Sequence, residues 1–142
     1  MIQKYAGDIN LYSKDEKIIK KMHNNLKEQD YIMLKIVGRN DSMFEVEASY
    51  AIAGFIANGW INKCNKEIGV YSRAYSGNLN LYKYPEIKTE IQCTIKEYTT
   101  DLLHIKDCQN NWLLIDTKID GNTYEGWIEP NMQCANPYST CN

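Results

Sequence analysis

The sequence contains no run of 18 apolar residues, no C-x-x-C or H-x-x-x-H spacing, only 3 prolines and 2 phenylalanines, and no marked excess of either charge. Each shortage excludes something. Without a long apolar run there is no helix to span a bilayer, and no membrane insertion is expected. The 16 Lys and Arg against 18 Asp and Glu leave a formal net charge of −2, which removes the broad attraction that nucleic acid or an anionic membrane demands. His23 and His104 lie far in sequence from the C-terminal cysteine pair, so no metal centre is expected, and no glycine-rich phosphate loop or cofactor motif appears. The segment Met1 to Asp8 lacks the apolar stretch of a secretory signal. As written, the chain is expected in the cytoplasm; with a signal already removed, it is expected in the periplasm or outside the cell.

What remains is a globular balance of 44% hydrophobic and 24% charged residues, which excludes wholesale disorder. A length of 142 residues allows one ordinary domain or two very small ones. The aromatic content, 11 Tyr and 3 Trp, favours strands and half-exposed recognition surfaces over a helical core.

An internal repeat organises the chain. Gly7-Asp8-Ile9-Asn10-Leu11-Tyr12 recurs as Gly77-Asn78-Leu79-Asn80-Leu81-Tyr82 at an offset of 70. Phe44 to Glu47 aligns with Trp112 to Ile115 at 68, and Gly59-Trp60-Ile61 with Gly126-Trp127-Ile128 at 67. Three matches in one order, with a slowly drifting offset, indicate a duplication with small loop deletions. The repeats are read as residues 1–70 and 71–142, with a boundary near Tyr71 to Ser76.

Within a repeat the pattern is one of short strands. Ile9 to Tyr12 alternates apolar and polar, and Tyr31 to Val37 followed by Met43 to Ala48 reads as a hairpin around Gly38 to Ser42. Asp101 to Lys106 and Trp112 to Asp116 repeat that scheme, and Asp120-Gly121-Asn122 is a turn leading into the second Gly-Trp-Ile. In Asp15 to Gln29, Ile18, Ile19, Met22 and Leu26 fall at helical spacing and Glu16 precedes Lys20 by four, so a short helix is expected there. The counterpart Ile87 to Ile95, richer in β-branched residues, is expected to be extended.

The 5 cysteines are odd in number, which leaves at least one thiol unpaired in a monomer. Cys134 and Cys141 flank a short polar stretch near the C-terminus. A disulfide there would staple the tail, contributing roughly 2–3 kcal/mol by loop entropy; two reduced thiols are the alternative. Pairing of Cys64, Cys93 and Cys108 is open, and a free-thiol count separates the cases.

The Asn-Leu-Tyr strand, long loop, hairpin, aromatic at the next strand start and closing Gly-Trp-Ile resemble the bacterial SH3-like domain. Asn10-Leu11-Tyr12 to Gly59-Trp60-Ile61 forms one copy and Asn80-Leu81-Tyr82 to Gly126-Trp127-Ile128 the other. The C-terminal pattern of Cys134, Asn136, Pro137, Thr140 and Cys141 is similar to that of tandem SH3-like proteins from the Bacteroidetes group. The resemblance implies an all-β chain of two small five-stranded barrels that bind peptides, cell-wall fragments or partner proteins and carry no catalysis. The first copy departs from it in having Phe44 where the second has Trp112, and in its longer charged segment through Gln29.

Candidate ligand residues follow from chemistry and position. Trp60 and Trp127 are expected as core anchors. Trp112, just past a polar turn, fits ligand binding and packing equally. Tyr12, Tyr82 and Tyr84 offer rigid amphipathic faces suited to a peptide or glycan groove, with a structural role favoured for Tyr12. Glu86 and Glu90 would attract a basic partner or form a solvated loop. A thiol hydrolase would need Cys93 or Cys108 beside His104, with a third orienting group; none is evident, and the chain is read as no enzyme. The expected function is a non-catalytic binding module for a peptide, a peptidoglycan fragment or a partner protein. The alternative is a toxin-neutralising immunity or inhibitor protein that blocks a basic effector.

Overall fold

A computed structural model describes residues 2–3, 9–24, 27–65, 67–86, 90–136 and 141. The protein is all-β: no α-helix occurs among the described residues, and the one helical turn is a 3-10 turn at Pro130–Met132. The chain divides into two compact units, Met1–Ile68 and Gly69–Asn142.

The first unit contains β1 (Ile2–Gln3), β2 (Ile9–Tyr12), β3 (Ile18–Met22), β4 (Ile32–Arg39), β5 (Met43–Tyr50) and β6 (Gly54–Asn62). Its five longer strands are hydrogen-bonded in the order β3-β2-β6-β5-β4, all antiparallel. From β7 (Ile68–Ser72), the chain continues through β8 (Leu79–Tyr82), β9 (Ile91–Ile95), β10 (Leu103–Gln109), β11 (Trp112–Ile119), β12 (Asn122–Ile128) and β13 (Gln133–Cys134). Strands β9-β8-β12-β11-β10 repeat the first unit's order, while β7 pairs with β10 and β13.

The repeat extends to irregularities. In each unit the first strand shifts register just before its tyrosine, between Leu11 and Tyr12 and between Leu81 and Tyr82. A second bulge falls between Ile36 and Gly38 and again between Ile105 and Asp107. Inward positions match as well: Leu11 and Leu81, Leu34 and Leu103, Val46 and Ile115, Ile61 and Ile128, Met22 and Ile95 are all buried. Alternation along each strand places these residues on one face, where two-residue periodicity gathers them into a core.

Structure corrects the alignment by one residue. Phe44 stands opposite Ile61 and Leu113 opposite Ile128, so Phe44 corresponds to Leu113, and Met43 to Trp112. The two-residue period makes such a slip consequential, because it exchanges the faces of every side chain.

The helix expected within Asp15 to Gln29 is instead β3. A tight turn precedes it: Ser13 N–H donates to Lys17 O at 2.7 Å and Glu16, at φ 64°, donates to Ser13 O at 2.9 Å, folding the chain straight back onto β2. Ile18 and Ile19, whose spacing suggested a buried helical stripe, are 52% and 51% exposed, and only Met22 of the strand is buried. Two adjacent β-branched residues after a turn favour an extended backbone. Leu26 lies outside the described residues, as do Gly7 and Asp8 of the repeat motif and Ile87 to Thr89. The remainder of the counterpart segment, Ile91–Ile95, is extended as expected.

Candidate binding face

The Gly-Trp-Ile element explains why each repeat has an apolar outer face. Gly59 and Ile61 point inward, as do Gly126 and Ile128, so the tryptophans between them point outward and are half-buried. The expectation that Trp60 and Trp127 anchor the core is therefore overturned by alternation itself. The glycines are needed where the first strand crosses: a Cβ on Gly126 would lie 2.7 Å from Leu81 Cβ and 3.2 Å from Tyr82 O, and one on Gly59 would lie 3.1 Å from Leu11 Cβ.

Register then builds a row across four strands. In the second repeat Ile91 stands opposite Tyr82, Tyr82 opposite Trp127, and Trp127 opposite Leu114. The first repeat has Ile18 opposite Tyr12, Tyr12 opposite Trp60, and Trp60 opposite Glu45. Directly opposed residues have Cβ atoms roughly 4.5–5.5 Å apart, so each row is a continuous band. The tyrosines, the tryptophans and Leu114 are half-buried, and Ile18 and Ile91 are exposed.

Of the residues singled out from sequence, Tyr12 and Tyr82 lie in these rows. Trp112 does not present its ring: it is 7% exposed and packs edge-on against Tyr82, centroids 5.6 Å apart at 84°. Such a pair contributes about 0.5–1.5 kcal/mol beyond its buried area and fixes the orientation of Tyr82. Tyr84 is exposed beyond the end of β8. Glu90 pairs with Lys83 Nζ at 3.3 Å on the surface, and Glu86 N–H donates to Tyr84 O at 2.8 Å. Ile18, Ile91, Leu114 and the outward tryptophans went unrecognised; the signal available was the burial of glycine and isoleucine on either side of tryptophan.

Beside the second row lies a charged cluster. His104 Nδ1 meets Asp116 Oδ1 at 2.6 Å, and Lys106 Nζ donates to Glu125 Oε1 at 2.5 Å. The hydrogen bond to Glu125 is the main cause holding the Lys106 ammonium above its ordinary pKa; partial burial opposes it, and the charges of Glu125 and Asp116 reinforce it. The first repeat carries an opposite-charge pair at the position of the histidine, Lys35 facing Glu47 across the register. His104 Nε2 is buried with no hydrogen-bond partner among the described residues, so neither Cys93 nor Cys108 is joined to it. Cys93 donates to Glu125 O at 3.5 Å, and burial pushes its thiol up. Among the described residues no cluster of three or more His, Cys, Asp or Glu is placed to hold a metal ion.

Cys134 and Cys141 form a disulfide, Cα atoms 5.8 Å apart, while Cys64, Cys93 and Cys108 are in no disulfide. Tyr75 anchors the bridge: its hydroxyl accepts from Cys141 N–H at 2.5 Å, and its ring packs against Tyr98 at 5.3 Å. Among the described residues no helix is long and apolar enough to cross a membrane. The sequence matches no protein-family model and no curated protein.

Proposed function

We propose that this chain is a non-catalytic binding protein of two SH3-like repeats, which engages an extended peptide, a cell-wall fragment or a partner protein through the outward aromatic rows. The observation that carries the reading is the recurrence of Tyr-Trp pairs, Tyr12 with Trp60 and Tyr82 with Trp127, at the same register position of both repeats. Core packing does not require them, because alternation sends them to the outer face. Rigid aromatic side chains with a polar edge suit ligands that are part apolar and part hydrogen-bonding. The Cys134–Cys141 disulfide supports an oxidising compartment outside the cytoplasm.

The test is retention on purified peptidoglycan sacculi and titration with solubilised wall fragments, comparing the parent chain with Tyr82→Ala, Trp127→Ala and Trp60→Ala. Loss of retention in the variants with unchanged thermal unfolding supports the reading. Undiminished retention removes the rows from the site. Co-purification of a single basic protein in stoichiometric amount, with no affinity for sacculi, would replace this reading with that of an inhibitor.

A further inference from the structure

The hairpin joining β5 to β6 ends in an apolar tip that the fold does not require. From Ala48 to Asn62 the chain carries no charged side chain, and at the turn Ile52 is 72% and Phe55 69% exposed. The corresponding hairpin of the second repeat, β11 to β12, turns through Asp120 and Gly121 at φ 51° and 83°, the polar two-residue turn such hairpins commonly take. The duplication thus contains its own control: the same hairpin closes with Asp-Gly in one copy and with Ala51-Ile52-Ala53 in the other.

The apolar tip is also held rigid from outside. Asp30, 8% exposed, accepts from Ile52 N–H at 2.7 Å through one carboxylate oxygen and from Ala53 N–H at 3.1 Å through the other. Ala51 N–H donates to Tyr31 O at 2.9 Å, and the Tyr50 hydroxyl donates to His23 O at 3.1 Å. Burying a carboxylate is costly unless it is hydrogen-bonded. Here both oxygens are engaged in fixing a turn whose large side chains stand in water, and such pre-organisation lowers the entropy lost on binding.

We infer that this tip is an interaction surface for a folded protein partner with an uncharged apolar pocket, into which Ile52 and Phe55 insert. Area and charge decide among occupants. Two side chains cover on the order of 300 Å², well short of the roughly 800 Å² per partner of a stable interface. The tip is therefore an anchor within a larger contact, and too small to join two copies of this chain by itself. No cation between Ala48 and Asn62 attracts lipid headgroups, and two inserted side chains are a weaker anchor than an acyl chain, which is itself marginal. A rigid, convex, uncharged tip complements a concave apolar pocket, the usual setting of an interface hot spot. The tip lies at the far end of β6 from Trp60, about 20 Å along the strand, so this surface is separate from the first repeat's aromatic row.

The experiment places a photo-crosslinking benzoylphenylalanine at Ala51 of the full chain in cells of its natural source and identifies cross-linked proteins by mass spectrometry. Each is then purified and titrated with the parent chain, Ile52→Asn, Phe55→Thr, Asp30→Asn and, as control, Lys118→Ala, an exposed position of β11 outside both aromatic rows. Expected is one dominant protein whose affinity falls at least tenfold with Ile52→Asn or Phe55→Thr and several-fold with Asp30→Asn, while Lys118→Ala retains it. Amide spectra confirm that each variant is folded. The inference is overturned by the absence of a cross-linked protein, by a cross-link only to another copy with dimers in sedimentation, by equal affinity of the tip variants, or by tip-dependent binding to phosphatidylcholine vesicles without a protein partner. The readout is affinity for the cross-linked protein and not retention on sacculi, and no tip variant lies in an aromatic row, so failure here is distinguishable from failure of the proposed function.

Discussion

Replacing Lys21 by threonine should stabilise the first repeat, and the reason is written in the second. Asn80 Oδ1 accepts a hydrogen bond of 2.9 Å from Thr94 Oγ1 across the pair β8–β9. The equivalent Asn10 faces Lys21 across β2–β3, and its Oδ1 is buried with no partner among the described residues. An unsatisfied buried polar atom costs about 1–3 kcal/mol, while a hydrogen bond returns a net of about 0.5–1.5 kcal/mol. Lys21→Thr supplies the missing donor at a position already registered for it, so a gain of about 1 kcal/mol is expected, equivalent to roughly 4–8 °C for a unit of this size. Threonine also suits a strand better than lysine, by a few tenths of a kcal/mol. Lys21→Val controls for that term, since it carries the β-branch and lacks the hydroxyl. Hydrogen exchange of the β2 amides reads the first unit specifically, with urea unfolding alongside it. If Lys21→Thr protects those amides no better than Lys21→Val, the hydrogen-bond argument is refuted. The reciprocal Thr94→Val should destabilise the second unit by about 1–2 kcal/mol.

Three further outcomes follow from the same geometry. Without reductant the denatured chain should react with three equivalents of a thiol reagent, and with five after reduction, from the three cysteines outside the disulfide and the opened Cys134–Cys141 bridge. In the native protein at mildly alkaline pH, Cys93 should alkylate more slowly than exposed Cys64, because burial raises its thiol pKa and leaves less thiolate; site-resolved mass spectrometry of a time course would show it, and equal rates would contradict the burial. Gly126→Ala should cost more than Gly59→Ala, about 1–3 kcal/mol for the former, since its methyl would lie 2.7 Å from Leu81 Cβ against 3.1 Å for the equivalent contact at Leu11; thermal unfolding of the two variants gives the comparison.

The strands were legible because their signals are local. Alternation in Ile9 to Tyr12 and Met43 to Ala48, and the Asp120-Gly121 turn, need only a few adjacent residues to be read. The Cys134–Cys141 pairing was legible as one of two alternatives, because the two cysteines flank a short polar stretch near the C-terminus that a bridge would staple. Ile18, Ile19 and Met22 misled because their spacing fits a helical period as readily as a strand with one buried end, and the turn that decides the matter depends on a positive φ at Glu16. The alignment of Phe44 with Trp112 slipped by one because two aromatics invite matching, while register is set by the partners Ile61 and Ile128 on the neighbouring strands. Asp30 carried no local signal at all: its work is done on amides at Ile52 and Ala53, reached only after β4 and β5 have folded back.

The pattern of difference between the repeats bears on function more than the pattern of likeness. Inward positions are matched in kind, leucine for leucine at 11 and 81 and at 34 and 103, so both cores solve one packing problem. Outward positions diverge. The first row ends at Glu45 where the second ends at Leu114, and Glu45 lies over Gly38, where an added Cβ would meet its Oε2 at 2.8 Å. Lys35 opposite Glu47 becomes His104 opposite Asp116, an imidazole in place of an ammonium. An apolar clamped tip becomes a polar turn. Duplication supplies two copies of one scaffold, and the substitutions on the faces that packing leaves free give each copy its own surface chemistry. Under the proposed binding function, a carboxylate at the end of one aromatic row and a leucine at the end of the other would favour ligands of different polarity, so the two repeats would suit different parts of a partner better than two copies of the same motif.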